Sequence, residues 1–97
     1  MNPKLKTDNI EFLFDAILTL KNKEECYHFF EDLCTVPEIK SIAQRLMVAR
    51  MLSDGKVYSE IVESTGASTA TISRVKRALN DGNDAYTMVF DRLEGNK

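Results

Sequence analysis

Little in this chain of 97 residues interrupts a helix: there are two prolines and four glycines. Proline lacks the backbone donor and glycine costs backbone entropy, so both punctuate helices. Their scarcity predicts a chain that is helical nearly throughout. Metal and redox ligands are equally sparse. His28 is the one histidine, and Cys26 and Cys34 are eight residues apart, which is not the CxxC spacing of a redox or zinc site. One imidazole and two distant thiols do not build a tetrahedral metal site. The sequence therefore implies neither metal nor cofactor, and the thiols are expected as reduced, small apolar groups. The apolar run from Ile10 to Leu20 contains Glu11 and Asp15, so it does not read as membrane-spanning, and no signal peptide is recognisable. The expected compartment is the cytoplasm. No catalytic set stands out either. Ser59 and Ser73 lack a histidine and carboxylate at plausible positions, and no glycine-rich phosphate loop is present. The one enzyme reading left is an all-helical dimer holding an anionic substrate with Arg45, Arg50 and Arg74, and the expectation is that the protein is not an enzyme.

What the chain does have is apolar surface and an uneven charge distribution. Hydrophobic residues make up 43% of it, a large share for a single short domain that can bury only a limited core. The surplus points to a partner, most simply a second copy. The formal net charge is −2, but its distribution matters more than its total. Residues 1–35 hold four basic and seven acidic residues, residues 36–80 hold seven and four, and residues 81–97 hold two and four. From Gly66 to Asn80 there are three basic residues and no acidic one.

The helices can be placed from caps and apolar spacing. Asp8 with Glu11 has capping-box spacing and opens a helix to about Lys21, with Phe12, Leu13, Phe14, Ile17, Leu18 and Leu20 leaving little polar face. Asn22 with Glu25 starts a second, running through Phe29, Phe30 and Leu33. Thr35-Val36-Pro37-Glu38 is a strong start signal, with Thr at the cap, Pro in the first turn and Glu at the third position. The helix that follows carries Ile39, Ile42, Ala43, Leu46, Ala49 and Leu52 on one face and stops at Gly55. A last helix spans about Asp84 to Leu93 with Tyr86, Val89, Phe90 and Leu93 inward, and Glu94 to Lys97 form a frayed tail.

The most informative stretch lies between. A short helix from Tyr58 to about Thr65, with Ile61 and Val62 inward, precedes a turn at Gly66. Ser68 is placed to cap the next helix by accepting a first-turn N–H. That helix has Ile72, Val75 and Leu79 on one stripe. Thr69, Ser73, Lys76, Arg77 and Asn80 lie on the other side, with Thr71 and Arg74 at the edges. A short helix, a glycine turn, a capped second helix with small hydroxylated residues at its start, and basic residues behind them make up a helix-turn-helix, whose second helix enters the DNA major groove by its N-terminal end.

Thr35 to about Leu79 resembles the Trp repressor family of bacterial regulators, and within it the TrpR-related YerC/YecD type. The resemblance is carried by Thr35 before a proline and an acidic residue, by Arg45, by the Leu52-to-Gly55 helix end, and by Ala70-Thr71-Ile72-Ser73-Arg74. It implies an all-α fold of about six short helices per chain in an intertwined homodimer, with the first and last helices packing around the partner. It also implies a ligand site edged by Thr35 between Arg45 and Arg74, where the family's repressor holds tryptophan. Val75 stands where that repressor has glycine, Ala78 where it has serine, and Asp32 and Cys34 where two leucines close the site. These departures argue against tryptophan and leave two alternatives: DNA binding without an effector, or a smaller or differently shaped anion held by Arg45 and Arg74.

The sequence thus predicts a single domain, residues 1–97, with the helix-turn-helix at about 58–80. Its expected role is that of a dimeric, sequence-specific binder of double-stranded DNA that regulates transcription. Ser68 caps the reading helix at the DNA surface. Thr69, Ala70, Thr71 and Ser73 are the expected base readers. Arg74, Lys76 and Arg77, with Lys56 behind them, are the expected phosphate contacts. The competing reading is a protein-interaction module of the same fold that has lost DNA binding, suggested by Glu60 and Glu63 on the first helix of the motif and by the net acidity.

Overall fold

The computed structural model describes residues 1–95. Among them are six α-helices and no strand: α1 (Asp8–Ile17), α2 (Lys23–Leu33), α3 (Val36–Ser53), α4 (Tyr58–Thr65), α5 (Thr69–Asp81) and α6 (Ala85–Gly95), preceded by a 3-10 turn at Pro3–Leu5. The chain divides into two compact units, Met1–Ile39 and Lys40–Lys97.

In the first unit, local side chains set the helix ends. Thr7, in extended conformation, caps α1 by accepting the Ile10 N–H at 3.3 Å. The expected cap, Asp8, is already helical. Glu11 turns to the Lys6 ammonium at 3.2 Å instead of reaching back to the backbone. The helix also stops at Ile17, short of the expected Lys21. The Thr19 hydroxyl donates to the Ala16 carbonyl at 2.7 Å, and the Thr19 and Leu20 N–H groups close tight bonds on Ala16 and Ile17. A threonine that bonds the preceding turn competes with helix continuation. Asn22 caps α2 as expected, accepting the Glu25 N–H at 2.9 Å, while the Glu25 carboxylate accepts the Lys21 N–H at 3.0 Å. At the start of α3 the capping box is complete. The Thr35 hydroxyl accepts the Glu38 N–H at 3.3 Å, and the Glu38 carboxylate accepts the Thr35 N–H at 2.8 Å. No residue of this unit is buried; Phe12 is 75% and Leu18 82% exposed.

The second unit holds the core: Val48 and Ala49 from α3, Ile61 from α4, Ala67 from the turn, Ile72 and Val75 from α5, and Phe90 from α6. α3 buries only the C-terminal part of the expected face: Ala49 is buried and Leu52 packs against the core as expected, joined by Val48 and Met51, whereas Ile42, Ala43 and Leu46 are exposed. Apolar residues surround much of this helix, and within the unit only one side of it meets other helices. The helix ends in a Schellman turn: Gly55 adopts φ +82°, its N–H bonds the Leu52 carbonyl, and the Lys56 N–H bonds the Met51 carbonyl, both at 3.0 Å. The left-handed position suits glycine, which has no Cβ to clash.

The last helix differs from expectation at its end. Instead of fraying at Glu94 it continues to Gly95, and Glu94 is held by the Arg50 guanidinium at 2.9 Å. The rest of the expected tail, Asn96 and Lys97, lies outside the described residues. Of the four side chains expected inward, Phe90 is buried and stacks with half-buried Tyr86, while Val89 and Leu93 are exposed. The Arg50 guanidinium also lies 5.2 Å from the Phe90 ring centre, so one arginine ties α3 to α6 by charge and by stacking.

The Thr35 backbone N–H, with the Thr35 hydroxyl adding to it, holds the Glu38 carboxyl below the usual carboxylate range. A depressed native value means that this group stabilises the fold above its unfolded value, and that the stabilisation is lost as pH falls through the native one. Thermal melts of the wild type and Glu38→Gln, which keeps an acceptor but cannot ionise, should therefore differ in favour of the wild type at neutral pH. The gap should close as pH drops below about 4.3, the ordinary glutamate value.

Candidate nucleic-acid interface

Gly66 lets the chain leave α4 and re-enter a helix at once. It takes φ +73° and donates its N–H to the Val62 carbonyl at 2.9 Å. Thr65, just before it, organises the turn. Its hydroxyl donates to the Ile61 carbonyl at 2.7 Å and accepts the Ala67 N–H at 3.1 Å. Its carbonyl accepts from the Gln44 side-chain amide of α3 at 3.0 Å. Ala67 is then driven into the core, only 2% exposed. Ser68 caps α5 as expected, accepting the Thr71 N–H at 3.1 Å, with its hydroxyl also 3.1 Å from that of Thr71.

The rest of α5 follows from burying one stripe. Ile72 and Val75 are 0% and 2% exposed and Leu79 is half-buried. This turns Thr69, Ala70, Ser73, Arg74, Lys76 and Arg77 outward, all of them exposed. Thr71 is half-buried, its hydroxyl taken up by the Ser68 cap. Among the described residues no carboxylate forms an ion pair with Arg74, Lys76 or Arg77. Lys76 instead places its ammonium 5.7 Å from the centre of the Tyr58 ring. The result is a convex, positively charged helix face with small hydroxylated residues at its leading end, a shape and charge suited to a nucleic-acid groove. On α4, Glu60 and Glu63 are exposed, and Val62, expected inward, is 38% exposed.

The residues of the implied ligand site are divided between the units. Thr35, in the first, commits its hydroxyl to the α3 capping box. Arg45 and Arg74, in the second, are both exposed. Three clefts indent this unit. An apolar one of about 470 Å³ runs between Leu46, Met47, Phe90 and Leu93. A second, of about 370 Å³, lies beside Asp54, Asp91 and Glu94. A third, of about 400 Å³, is lined by Lys56, Tyr58, Lys76 and Asn80 among others. Arg45 and Arg74 line none of the three. Among the described residues no group of three His, Cys, Asp or Glu is placed to hold a metal ion, and no helix is long and apolar enough to cross a membrane.

Sequence reasoning did not identify Gln44, Thr65 or Tyr58 as part of this interface. Gln44 and Thr65 are 21 positions apart, and their bond is visible only once the chain folds. The signal that could have found Gln44 is its position as a polar side chain between Ala43 and the apolar Leu46–Ala49 run of α3.

Comparison with known proteins agrees with this geometry. The family described as Trp repressor protein matches residues 8–94. The chain is 62% identical over 91 residues to the uncharacterized protein YerC of Bacillus subtilis (strain 168), covering 94% of this chain and 88% of that one. A TrpR-like protein from Eubacterium eligens ATCC 27750 superposes with a TM-score of 0.93 at 59% identity, over 96% of both chains. A candidate Trp repressor from Staphylococcus aureus superposes with a TM-score of 0.91 at 61% identity, over 95% of this chain and 92% of that one. Matched along nearly its whole length in sequence and in fold, the chain belongs to the Trp repressor family.

Proposed function

We propose that this protein is a dimeric helix-turn-helix regulator of transcription that reads double-stranded DNA with α5. The observation that carries this reading is the outward face of that helix. Its hydroxylated leading end and three basic side chains stand exposed, held in place by the buried Ile72–Val75 stripe. Thr69, Ala70, Thr71 and Ser73 read base edges: the Thr69 and Ser73 hydroxyls bond several of them, and the methyls of Thr69, Ala70 and Thr71 meet thymine methyls. Arg74, Lys76 and Arg77 grip phosphates and set the register. The family match runs through both units, from residue 8 to residue 94, which supports treating the chain as one functional domain.

A second copy completes the assembly. Phe12 and Phe14 of α1 with Leu18 at its end in the first unit, and Ile42, Leu46 and Met47 of α3 and Leu93 of α6 in the second, are all exposed in the single chain. Exposed apolar surface of this kind marks interaction sites on each unit, and a two-fold dimer covers the same surfaces on both copies. Tryptophan is not the effector. The position beside Arg74 that a glycine would leave open carries Val75, packed into the core. Ala78 offers no hydroxyl to a ligand amine, and an unpaired buried polar group costs about 1–3 kcal/mol.

Exposed Glu60 and Glu63 on α4 favour the competing reading, a protein-interaction module without DNA affinity. Binding of duplexes selected from a random pool, titrated with salt, separates the two. A DNA reader gives a preferred sequence and a steep salt slope, and an interaction module gives neither. Within the DNA reading, Thr71→Ala and Ser73→Ala should change preference at one position of the site, by about 1–3 kcal/mol. Arg77→Ala should weaken all sequences alike and lower the slope by about one.

Sedimentation should find a dimer at micromolar concentration, and the selected sites should place their half-sites about 34–36 Å apart, one helical turn. A stable folded monomer at that concentration would remove the dimer from this proposal.

Calorimetry with L-tryptophan should show no binding at or tighter than about 10 μM. Val75→Gly combined with Ala78→Ser should create measurable affinity if these two side chains are what blocks the site.

A further inference from the structure

The cleft of about 400 Å³ between the α3–α4 turn and α5 has features that the reading of α5 as a groove-binding helix does not use. Leu52, Leu79 and half-buried Tyr58 contribute to its apolar lining, and Lys56, Lys76 and Asn80 are its exposed polar groups. No carboxylate lines it. Two lysines and an asparagine thus share one small concavity. The Lys76 ammonium is not free to wander, because it lies over the Tyr58 ring at 5.7 Å from its centre. An aromatic face attracts a cation and holds it without consuming its hydrogen-bond donors, so Lys76 stays directed at the cleft with those donors available. Val57, the N-cap of the adjoining helix α4, supplies no side-chain acceptor to its first turn. The charged side chains of the cleft are both positive, which favours an anion, and the Asn80 amide can turn its N–H groups toward an oxyanion. The cleft lies on the unit that carries the reading helix, and Lys76 sits on that helix between Arg74 and Arg77.

We propose that this cleft seats a single backbone phosphate of bound DNA, gripped jointly by Lys56 and Lys76, with Tyr58 as the positioning residue for Lys76. The assignment rests on the reading of the protein as a DNA binder. It adds that the two lysines act as one contact and not two, and that an aromatic ring with no need to touch DNA controls one of them.

The test is a salt titration of binding to a selected duplex, using the full-length wild type, Lys56→Ala, Lys76→Ala, the double variant, Tyr58→Phe and Tyr58→Leu, with melting temperature as a control for folding. One neutralised phosphate contributes about 0.9 to the slope of log affinity against log salt. Joint action predicts that the double variant lowers the slope by about one in total, with affinity losses smaller than the sum of the single ones. Tyr58→Phe, which keeps the ring face, should bind as the wild type does. Tyr58→Leu should match Lys76→Ala and have no further effect when combined with it. A loss of about two in slope with additive affinities would assign the lysines to separate phosphates and overturn the proposal. So would an unchanged slope, or a Tyr58→Phe defect equal to that of Tyr58→Leu. If Tyr58→Leu fails to fold, the lysine variants and Tyr58→Phe still decide. Titration of the same lysine variants with inorganic pyrophosphate is the second arm: pyrophosphate binding that is lost in the double variant, with the DNA slope intact, would make the cleft a free-anion site and overturn the assignment to DNA. Absence of any salt-dependent DNA binding by the wild type would bring down the DNA reading itself, an outcome distinct from the others.

Discussion

Thr65 is the residue on which the helix-turn-helix unit of this molecule depends. A left-handed glycine alone permits a sharp turn but does not fix its direction. Here the preceding threonine bonds backward to Ile61 and forward to Ala67, while Gln44 of α3 bonds its carbonyl. The angle between α4 and α5 is therefore set by side-chain hydrogen bonds at the turn, and Ala67 and Ile72 are carried into the core as a result. Because the Gln44–Thr65 bond is part-buried, removing the Gln44 amide would leave the Thr65 carbonyl without its bond in a place water reaches poorly. Through that bond α3, the helix that also carries Arg45, is joined to the turn at the base of α5.

The division of burial follows from which helices have neighbours within one chain. α3 to α6 share a core in which Val48, Ile61 and Ile72 are fully enclosed. α1 and α2 have no enclosed side chain despite their phenylalanines and leucines. A short chain cannot bury apolar residues on every side of a helix. This accounts for apolar faces on α1, α3 and α6 that the isolated chain leaves in water, and it is the physical reason to look for a second copy.

What the sequence made legible was local. The bounds of α4, the left-handed Gly66, the Ser68 cap, the Thr35–Glu38 box and the Ile72–Val75–Leu79 stripe all depend on residues within a turn or two of one another, and each lies where spacing placed it. The misplacements have equally local or distinctly long-range causes. Thr7 displaced Asp8 as the cap because it stands one position earlier in an extended conformation, and Thr19 ended α1 by bonding Ala16. The buried face of α3 was legible only at Ala49 and Leu52, because apolar residues surround the helix and tertiary partners choose among them. The link from Gln44 to Thr65 and the seat of Lys76 on Tyr58 join residues far apart in sequence, so no periodicity announces them. Which of Thr69, Ala70, Thr71 and Ser73 face outward was largely legible from the stripe opposite them. That Thr71 spends its hydroxyl on the cap was not.

The absence of any enclosed side chain in Met1–Ile39 bears on how amide protons exchange with solvent. Exchange at a helical amide requires opening, and the free energy of opening follows the buried contacts that must be broken. In the single chain, amides of α1 and α2 open at the cost of helix hydrogen bonds and caps alone, whereas those of α3 to α6 are guarded by the shared core. Protection would thus be two-tiered within one polypeptide, and any partner seated on α1 and α2 would raise the lower tier, because it adds its own free energy to every opening that exposes its seat.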